Sequence, residues 1–250
     1  LEITSPDVEA SAKFYEEKFG MRIIDRVDGN VYLRCWGDYY RYSLVVTEGP
    51  EASLGRMAWR TNSQAALEAA AQRIEATTWT AGGHGYGKAY EFTGPYGHHM
   101  RLFYDVDKFV AEPGFESTYP DRPERRSSHA AAPRFLDHVT VASSDVRGFA
   151  KWYNEALGFR VMAFVDLDEA PITVFSVLTT NEKSHDLGVV LDTSNRPGRV
   201  NHIAFWVDTT EDLLRTADVM MEHGTPMEYG PPIHGVGEQN FLYFREPSGL

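Results

Sequence analysis

The amino-acid sequence predicts an α+β fold of four βαβββ modules, which pair into two similar domains that are each an open barrel-like mixed sheet. One observation is a repeat: residues 6–23 and 144–161 are identical at eight of eighteen positions, at an offset of 138. A second is a Phe-x-x-Pro-x-Gly pattern that occurs at residues 92–97 and again at residues 244–249. Repeats of this kind indicate a duplicated structural unit.

The repeated segment is predicted to be a helix. Its second copy carries apolar residues at helical spacing, namely Val146, Phe149, Tyr153 and Leu157. Ser5 and Ser144 are the expected N-caps. Gly20 and Gly158 stand where a left-handed C-terminal cap is expected.

Short strands surround these helices. In the first copy the predicted strands are residues 21–27, 31–36 and 42–47, and their counterparts in the second are 160–165, 172–178 and 187–191. Further helices are expected at residues 64–76 and 210–223, the latter with a capping box formed by Thr209 and Asp212. The order strand, helix, three strands therefore recurs four times.

The segment 111–133 is predicted to be an interdomain linker. It is rich in Pro, Glu, Arg, Ser and Ala and lacks a regular hydrophobic period. The expected domains are therefore residues 1–110, which are assigned no catalytic role, and residues 134–250, which carry the candidate site.

Composition favours a small-molecule partner. The formal net charge of −12 argues against nucleic acid and anionic membrane surfaces, because both attract basic patches. No apolar run is long enough to span a membrane. The single cysteine, Cys35, excludes an internal disulfide framework and fits a cytoplasmic location.

Two histidines at matching repeat positions form a candidate metal site. His138 lies in the alternating strand 135–141, and His202 lies in the corresponding strand 200–207 of the next module. Aligning Trp59 with Trp206 sets Gly55 opposite His202, so the first half of the chain lacks the pair. Imidazole nitrogen suits first-row transition metals. The alternative is that each histidine is an ordinary hydrogen-bonded strand residue.

Two histidines need a carboxylate to complete the facial triad of a non-haem Fe(II) site. The repeat directs the search to the strand after residues 247–249, so the third ligand is expected just beyond Leu250. Glu246 precedes that turn and is expected to be solvated.

These residues resemble the type I extradiol ring-cleaving dioxygenases of the vicinal oxygen chelate superfamily. The resemblance extends over essentially the whole chain and is most specific at residues 198–207 and 241–250. It implies that His138 and His202 bind Fe(II), with Mn(II) as an alternative. It also implies that His185 is the acid/base and that His234 and Tyr243 contact the substrate. The implied reaction is cleavage of a catechol, a small aromatic diol, by O2 to a ring-opened semialdehyde.

Several points stay open from the sequence. The same module also builds glyoxalase-like enzymes and could build a metal-free binding protein. The catechol, monocyclic or biphenyl-type, is not determined, and a homo-oligomer is expected from the resemblance alone. His185, His234 and Tyr243 could each be an ordinary loop or core residue. The remaining histidines match no functional position: His84, His98, His99, His129 and His223.

Overall fold

The computed structural model describes residues 1–128, 130–235 and 237–250. It confirms the α+β class, because each of the four modules begins with a strand, continues with a helix and ends in further strands. Among the residues described, no helix combines the length and apolar character needed to cross a membrane.

The first two modules follow the predicted order closely. The first consists of β1 (Glu2–Ser5), α1 (Val8–Lys13), β2 (Arg22–Val27), β3 (Asn30–Arg34) and β4 (Leu44–Glu48). Helix α1 continues as a π-helical segment over Phe14–Lys18. The second module consists of β5 (Ser53–Arg60), α2 (Gln64–Arg73), β6 (Thr78–Thr80), β7 (Ala89–Thr93) and β8 (His99–Phe103).

The second half of the chain repeats this order, except that among the described residues the fourth module has two strands after its helix instead of the three predicted. The third module consists of β9 (Phe135–Ser143), α3 (Val146–Leu157), β10 (Arg160–Asp166), β11 (Thr173–Thr179) and β12 (Leu187–Leu191). The fourth consists of β13 (Val200–Trp206), α4 (Thr210–Glu222), β14 (Met227–Tyr229) and β15 (Tyr243–Phe244).

The residues cluster into two compact units. Unit one comprises Leu1–Ser53, Asp107–Leu136 and Phe205–Leu250. Unit two comprises Leu54–Val106 and Asp137–Ala204. Each unit thus draws on both halves of the chain, and the domain boundaries expected at residues 110 and 134 stay a prediction.

In unit one, the strands of the first module are hydrogen-bonded in the order β2-β3-β4-β1. Strand β1 runs parallel to β4, with Ile3 opposite Val46, while β3 is antiparallel to both β2 and β4. Strands β14 and β15 form a separate antiparallel pair.

Unit two uses the same arrangement twice. Strands β5-β8-β7-β6 are neighbours in that order, with β5 parallel to β8, and the other sheet runs β10-β11-β12-β9-β13 with β9 parallel to β12. In the first three modules the opening strand therefore lies beside the last strand. This topology places β9 and β13, the strands that carry His138 and His202, next to each other.

The helix ends agree with the prediction at some caps and differ at others. The N-caps of α1 and α3 are Asp7 and Asp145, not Ser5 and Ser144. Each aspartate Oδ1 accepts a hydrogen bond from the backbone amide three residues later in the chain. A carboxylate at this position is favoured because it also complements the helix dipole. The capping box of Thr209 and Asp212 is present, and Gly158 adopts the left-handed conformation with φ of 77°.

The predicted linker lacks helix and strand among its described residues, yet it is anchored. Glu124 is buried and forms ion pairs with Arg34 of β3 and with Arg22, the latter at 2.8 Å. The Arg34 guanidinium also lies 3.4 Å from the ring centroid of Phe109. Burial of a charge is tolerated only with such partners, so this segment has a defined course over unit one.

Aromatic side chains pack the core of each unit. In unit one, Phe19 contacts Phe205 and Phe244 at centroid distances of 5.0 and 5.6 Å. In unit two, Trp59 and Tyr153 pack against Phe159 at 5.0 and 5.2 Å. The predicted apolar stripe of α3 is thus confirmed as a buried face, since Val146, Phe149 and Tyr153 are each at most 2% exposed.

Glu246 differs from the sequence expectation, because it is buried rather than solvated. Its Oε1 accepts from the backbone amide of Ser248 at 2.9 Å, and its Oε2 accepts from the Ser11 hydroxyl at 2.8 Å. The expectation was wrong because the turn folds back over its own preceding carboxylate and is covered by α1. A buried carboxylate that accepts several hydrogen bonds is held far more firmly than a solvated one.

The repeat shows that this polar contact is particular to unit one. Position 11 corresponds to Phe149 and position 246 corresponds to Gly94 in the two alignments. In unit two, Phe149 packs on Tyr96 at 5.5 Å, and a Cβ at Gly94 would lie 2.4 Å from the Met100 methyl carbon. The equivalent space in unit two is thus filled by apolar atoms, whereas unit one contains a serine–carboxylate hydrogen bond.

Replacing Glu246 tests this contact. Glu246→Ala is expected to lower the free energy of unfolding by about 2–3 kcal/mol, because it leaves buried donors unpaired. Urea denaturation measures the change. Glu228→Ala is the control, since Glu228 on β14 is 49% exposed and pairs with Arg245 at the surface; its effect is expected to stay within about 0.5 kcal/mol. Equal losses in the two variants would contradict a stabilising role for the buried contact.

Candidate metal centre

His138 and His202 face each other on neighbouring strands of unit two. Their Nε2 atoms are 3.3 Å apart, and their ring centroids are 5.4 Å apart. Strand β9 carries His138 and its neighbour β13 carries His202. The structure therefore brings together the two residues that the repeat pairs in sequence.

The residue before each histidine orients its ring. Asp137 Oδ2 lies 2.7 Å from His138 Nδ1, and Asn201 Oδ1 lies 2.8 Å from His202 Nδ1. Because a carboxylate oxygen and an amide oxygen only accept, each Nδ1 carries a proton, and in a neutral ring Nε2 then presents its lone pair. Such partners are typical of metal-binding histidines. Asp137 and Asn201 were not predicted from the sequence, although each directly precedes its histidine there.

The pair of nitrogens fits a divalent metal ion. With metal–nitrogen bonds of about 2.1 Å, two ligands separated by 90° to 109° have nitrogens about 3.0–3.4 Å apart. The observed 3.3 Å lies in that interval. Two lone pairs at this distance repel unless a cation lies between them, so the arrangement suits a shared ion. Iron and manganese both accept imidazole.

A third ligand is not found in the described part of the chain. Within it, no three His, Cys, Asp or Glu side chains are grouped so that they could hold a metal ion. The carboxylate expected to follow Leu250 therefore stays a prediction, as does the assignment of His138 and His202 as ligands.

His185 lies beside this pair, in the loop between β11 and β12. Its ring centroid is 4.1 Å from that of His138, and its Nδ1 is 2.8 Å from the Ser184 hydroxyl. Burial, and then the neighbouring His138, lower the pKa of His185 to about 4, against the opposing effect of Asp137. At neutral pH the imidazole is therefore uncharged.

His234 and Tyr243 form a second group, within unit one. The Tyr243 hydroxyl is 3.5 Å from His234 Nε2, and the Phe241 ring packs on both side chains at centroid distances of 4.1 and 5.1 Å. Burial raises the pKa of Tyr243, so the phenol keeps its proton and remains a hydrogen-bond donor. The five predicted site residues thus fall into two sets, one in each unit.

Two of the remaining histidines, His98 and His99, make ordinary hydrogen bonds at the start of β8. His98 is buried with its Nε2 3.0 Å from the Arg199 carbonyl oxygen, and burial lowers its pKa. His99, the next residue, is exposed and pairs with the Thr93 hydroxyl at 2.9 Å. The two rings therefore lie on opposite faces of the strand, as expected. His129 lies outside the described residues.

Comparison with known proteins gives consistent matches. The sequence model of the Glyoxalase/Bleomycin resistance protein/Dioxygenase superfamily matches residues 1–108 and 135–250. The chain is 31% identical to the manganese-dependent 2,3-dihydroxybiphenyl 1,2-dioxygenase of Geobacillus genomosp. 3, over 99% of this chain and 80% of that protein. It is 30% identical to the metapyrocatechase of Geobacillus stearothermophilus, over 100% of this chain and 77% of that protein.

A solved structure agrees with these matches. The 2,3-dioxygenase LapB of Pseudomonas sp. KL28 superposes with a TM-score of 0.87 at 25% sequence identity, covering 99% of this chain and 87% of that one. The resemblance that the sequence motifs predicted is therefore confirmed.

Removing one imidazole tests the metal centre. His202→Ala is expected to lose most of the Mn(II) affinity, because a single remaining histidine cannot hold the ion between two rings. Equilibrium dialysis with Mn(II) measures the binding. His99→Ala is the control in the same unit and is expected to bind as the wild type does. Undiminished Mn(II) binding by His202→Ala would contradict the assignment.

Proposed function

The chain belongs to the Glyoxalase/Bleomycin resistance protein/Dioxygenase superfamily, and from that premise we propose that it cleaves a catechol by extradiol insertion of O2. It is on this basis an oxidoreductase that incorporates both oxygen atoms into a ring-opened semialdehyde. The observation that carries the proposal is the distance of 3.3 Å between the Nε2 atoms of His138 and His202. The ring centroid of His185 lies 4.1 Å from that of His138.

The names of the relatives support the reaction class. One similar protein is named a 2,3-dihydroxybiphenyl 1,2-dioxygenase, and two more, from Geobacillus stearothermophilus and Pseudomonas sp. (strain CF600), are named metapyrocatechases. The identity of at least 30% to two of them over nearly the whole chain exceeds what a shared fold alone requires. Catechol cleavage is therefore favoured over the glyoxalase-like chemistry that the same module can also perform.

His138 and His202 would hold the divalent ion through their Nε2 atoms. Asp137 and Asn201 keep each ring in the tautomer that presents this nitrogen. When bound, Fe(II) or Mn(II) supplies a Lewis acid that lowers the pKa of the catechol hydroxyls and brings catechol and O2 together. Both metals remain in the proposal, since one relative is named manganese-dependent.

His185 is proposed to move protons during the reaction. Its Nδ1 is engaged by Ser184, so Nε2 is the atom proposed to take a proton from a catechol hydroxyl and to return one later. Proton transfer requires an atom that is held within hydrogen-bond reach. The contact with the His138 ring supplies that placement within unit two.

The roles of His234 and Tyr243 follow from the resemblance. Both offer hydrogen-bonding atoms, Nε2 and the phenolic hydroxyl, which suit recognition of a deprotonated substrate oxygen. The proposed substrate is a monocyclic or a biphenyl-type catechol. We also propose that the protein forms a homo-oligomer and is located in the cytoplasm.

Product analysis tests the proposed reaction. The Fe(II)-loaded and the Mn(II)-loaded protein are each incubated with catechol and with 2,3-dihydroxybiphenyl under ¹⁸O₂. A yellow ring-opened product with ¹⁸O in its new carboxylate is expected from at least one pair, a semialdehyde from catechol or the corresponding keto acid from 2,3-dihydroxybiphenyl. Cleavage between the two hydroxylated carbons, or no turnover of either diol, would contradict extradiol cleavage, and absence of metal binding would favour a binding protein instead.

Substitution of His185 tests its role separately. His185→Ala is expected to keep its metal and its affinity for catechol under anaerobic conditions, while turnover falls by about 10²–10⁴-fold, as is typical for a lost general acid or base. Anaerobic titration and steady-state kinetics measure the two effects. His223→Ala, an exposed residue at the end of α4, is the control. Wild-type turnover in His185→Ala would show that this residue is not the acid/base.

A further inference from the structure

We propose that Lys183 is a positioning residue, which holds the loop that carries His185 against the strand that carries His138. The inference rests on the proposed function, because it concerns how His185 is placed for proton transfer. Lys183 was not singled out by the sequence, and its contacts lie entirely within unit two.

The loop between β11 and β12 is closed by hydrogen bonds to the Asp186 carboxylate. Its Oδ2 accepts from the Thr179 hydroxyl at 3.0 Å and from the Thr180 amide at 2.9 Å. Asn181 donates its side-chain amide to the same carboxylate, and its Oδ1 accepts from the Lys183 backbone amide at 2.8 Å. The loop therefore has a defined internal conformation, which the residues of its base maintain.

The Lys183 ammonium joins this loop to β9. It donates to the Asp137 carbonyl oxygen at 2.5 Å and lies 2.9 Å from Asp186 Oδ1 and 3.6 Å from Asp137 Oδ1. An ammonium has three protons and no acceptor, so three oxygens from two elements suit it well. Asp137 is also the residue that orients His138, which places Lys183 one contact away from that ring.

His185 depends on this connection for its position. Its hydrogen-bond partner is Ser184, which lies in the same loop, and its ring contacts that of His138. The backbone meets β9 one residue later, where the Asp186 carbonyl oxygen accepts from the Val139 amide at 3.2 Å, so Lys183 holds the stretch that precedes this bond. Without the ammonium, Asp137 and Asp186 would each lose a cationic partner, and the side-chain connection from residue 183 to β9 would be absent. Residues 182–185 would then shift more readily relative to β9, and the His185 ring would shift with them.

Kinetics of the metal-loaded protein test the inference. In Lys183→Met, kcat is expected to fall about 10–100-fold, the usual effect of losing a partner that orients a site residue. The KM for catechol is expected to change far less. Lys183→Arg keeps the positive charge and is expected to recover most of kcat. Lys151→Met is the control, because Lys151 on α3 is exposed and pairs with Glu155.

The double variant separates positioning from general stabilisation. If Lys183 acts through His185, Lys183→Met combined with His185→Ala is expected to be no slower than His185→Ala alone. If the fold-reductions in kcat of the two single variants multiplied in the double variant, the proposal would be overturned. A wild-type kcat in Lys183→Met would also overturn it. A loss of activity that excess metal restores would also overturn it, since the effect would then run through metal affinity.

Hydrogen–deuterium exchange provides a readout that does not depend on activity. Amides at residues 180–186 are expected to exchange faster in Lys183→Met than in the wild type and in Lys151→Met. Unchanged exchange there would overturn the proposal. If the wild type opened no catechol ring, the proposed function would fail, while the exchange experiment would still decide whether Lys183 holds the loop.

Discussion

Two imidazole nitrogens that present their lone pairs to each other at 3.3 Å are the constraint on which the candidate site depends. Two neutral acceptors at this distance repel each other, and a cation shared between them would remove that repulsion. Asp137 and Asn201 orient the two rings by accepting hydrogen bonds from their Nδ1 atoms. The sheet brings the two rings together by placing β9 next to β13.

The groups around this pair balance charge over a short distance. Asp137 orients His138, Lys183 lies between Asp137 and Asp186, and Asp186 closes the loop that bears His185. Each of these carboxylates is partly buried, and the pKa of each is lowered despite burial because hydrogen-bond donors and the Lys183 ammonium stabilise the anions. Replacing Asp137, Lys183 or Asp186 is therefore expected to change the positions of the other two side chains as well as the contacts of the replaced residue.

Duplication supplied a common scaffold, and individual substitutions gave the copies different properties. Position 202 is a histidine where the first half has Gly55, which restricts the imidazole pair to the second half. Position 246 is a buried carboxylate where the other copy has Gly94, and the facing helix residue is Ser11 in one copy and Phe149 in the other. The two copies therefore differ at both facing positions, which fits the need of a buried carboxylate for a donor and of an aromatic ring for an apolar neighbour.

The sequence by itself determined the four modules, because amphipathic periods and repeated turns are local properties of the chain, and it identified His138 and His202 because equivalent repeat positions become adjacent strands. It did not determine which polar side chains are buried, which residues cap the helices or which distant residues pair. Glu246 was expected in solvent and is buried, Asp7 and Asp145 replace the expected serine caps, and Lys183 reaches Asp137 from 46 residues away. Burial and long-range ion pairs depend on which surfaces meet in three dimensions, so only the tertiary structure decided them.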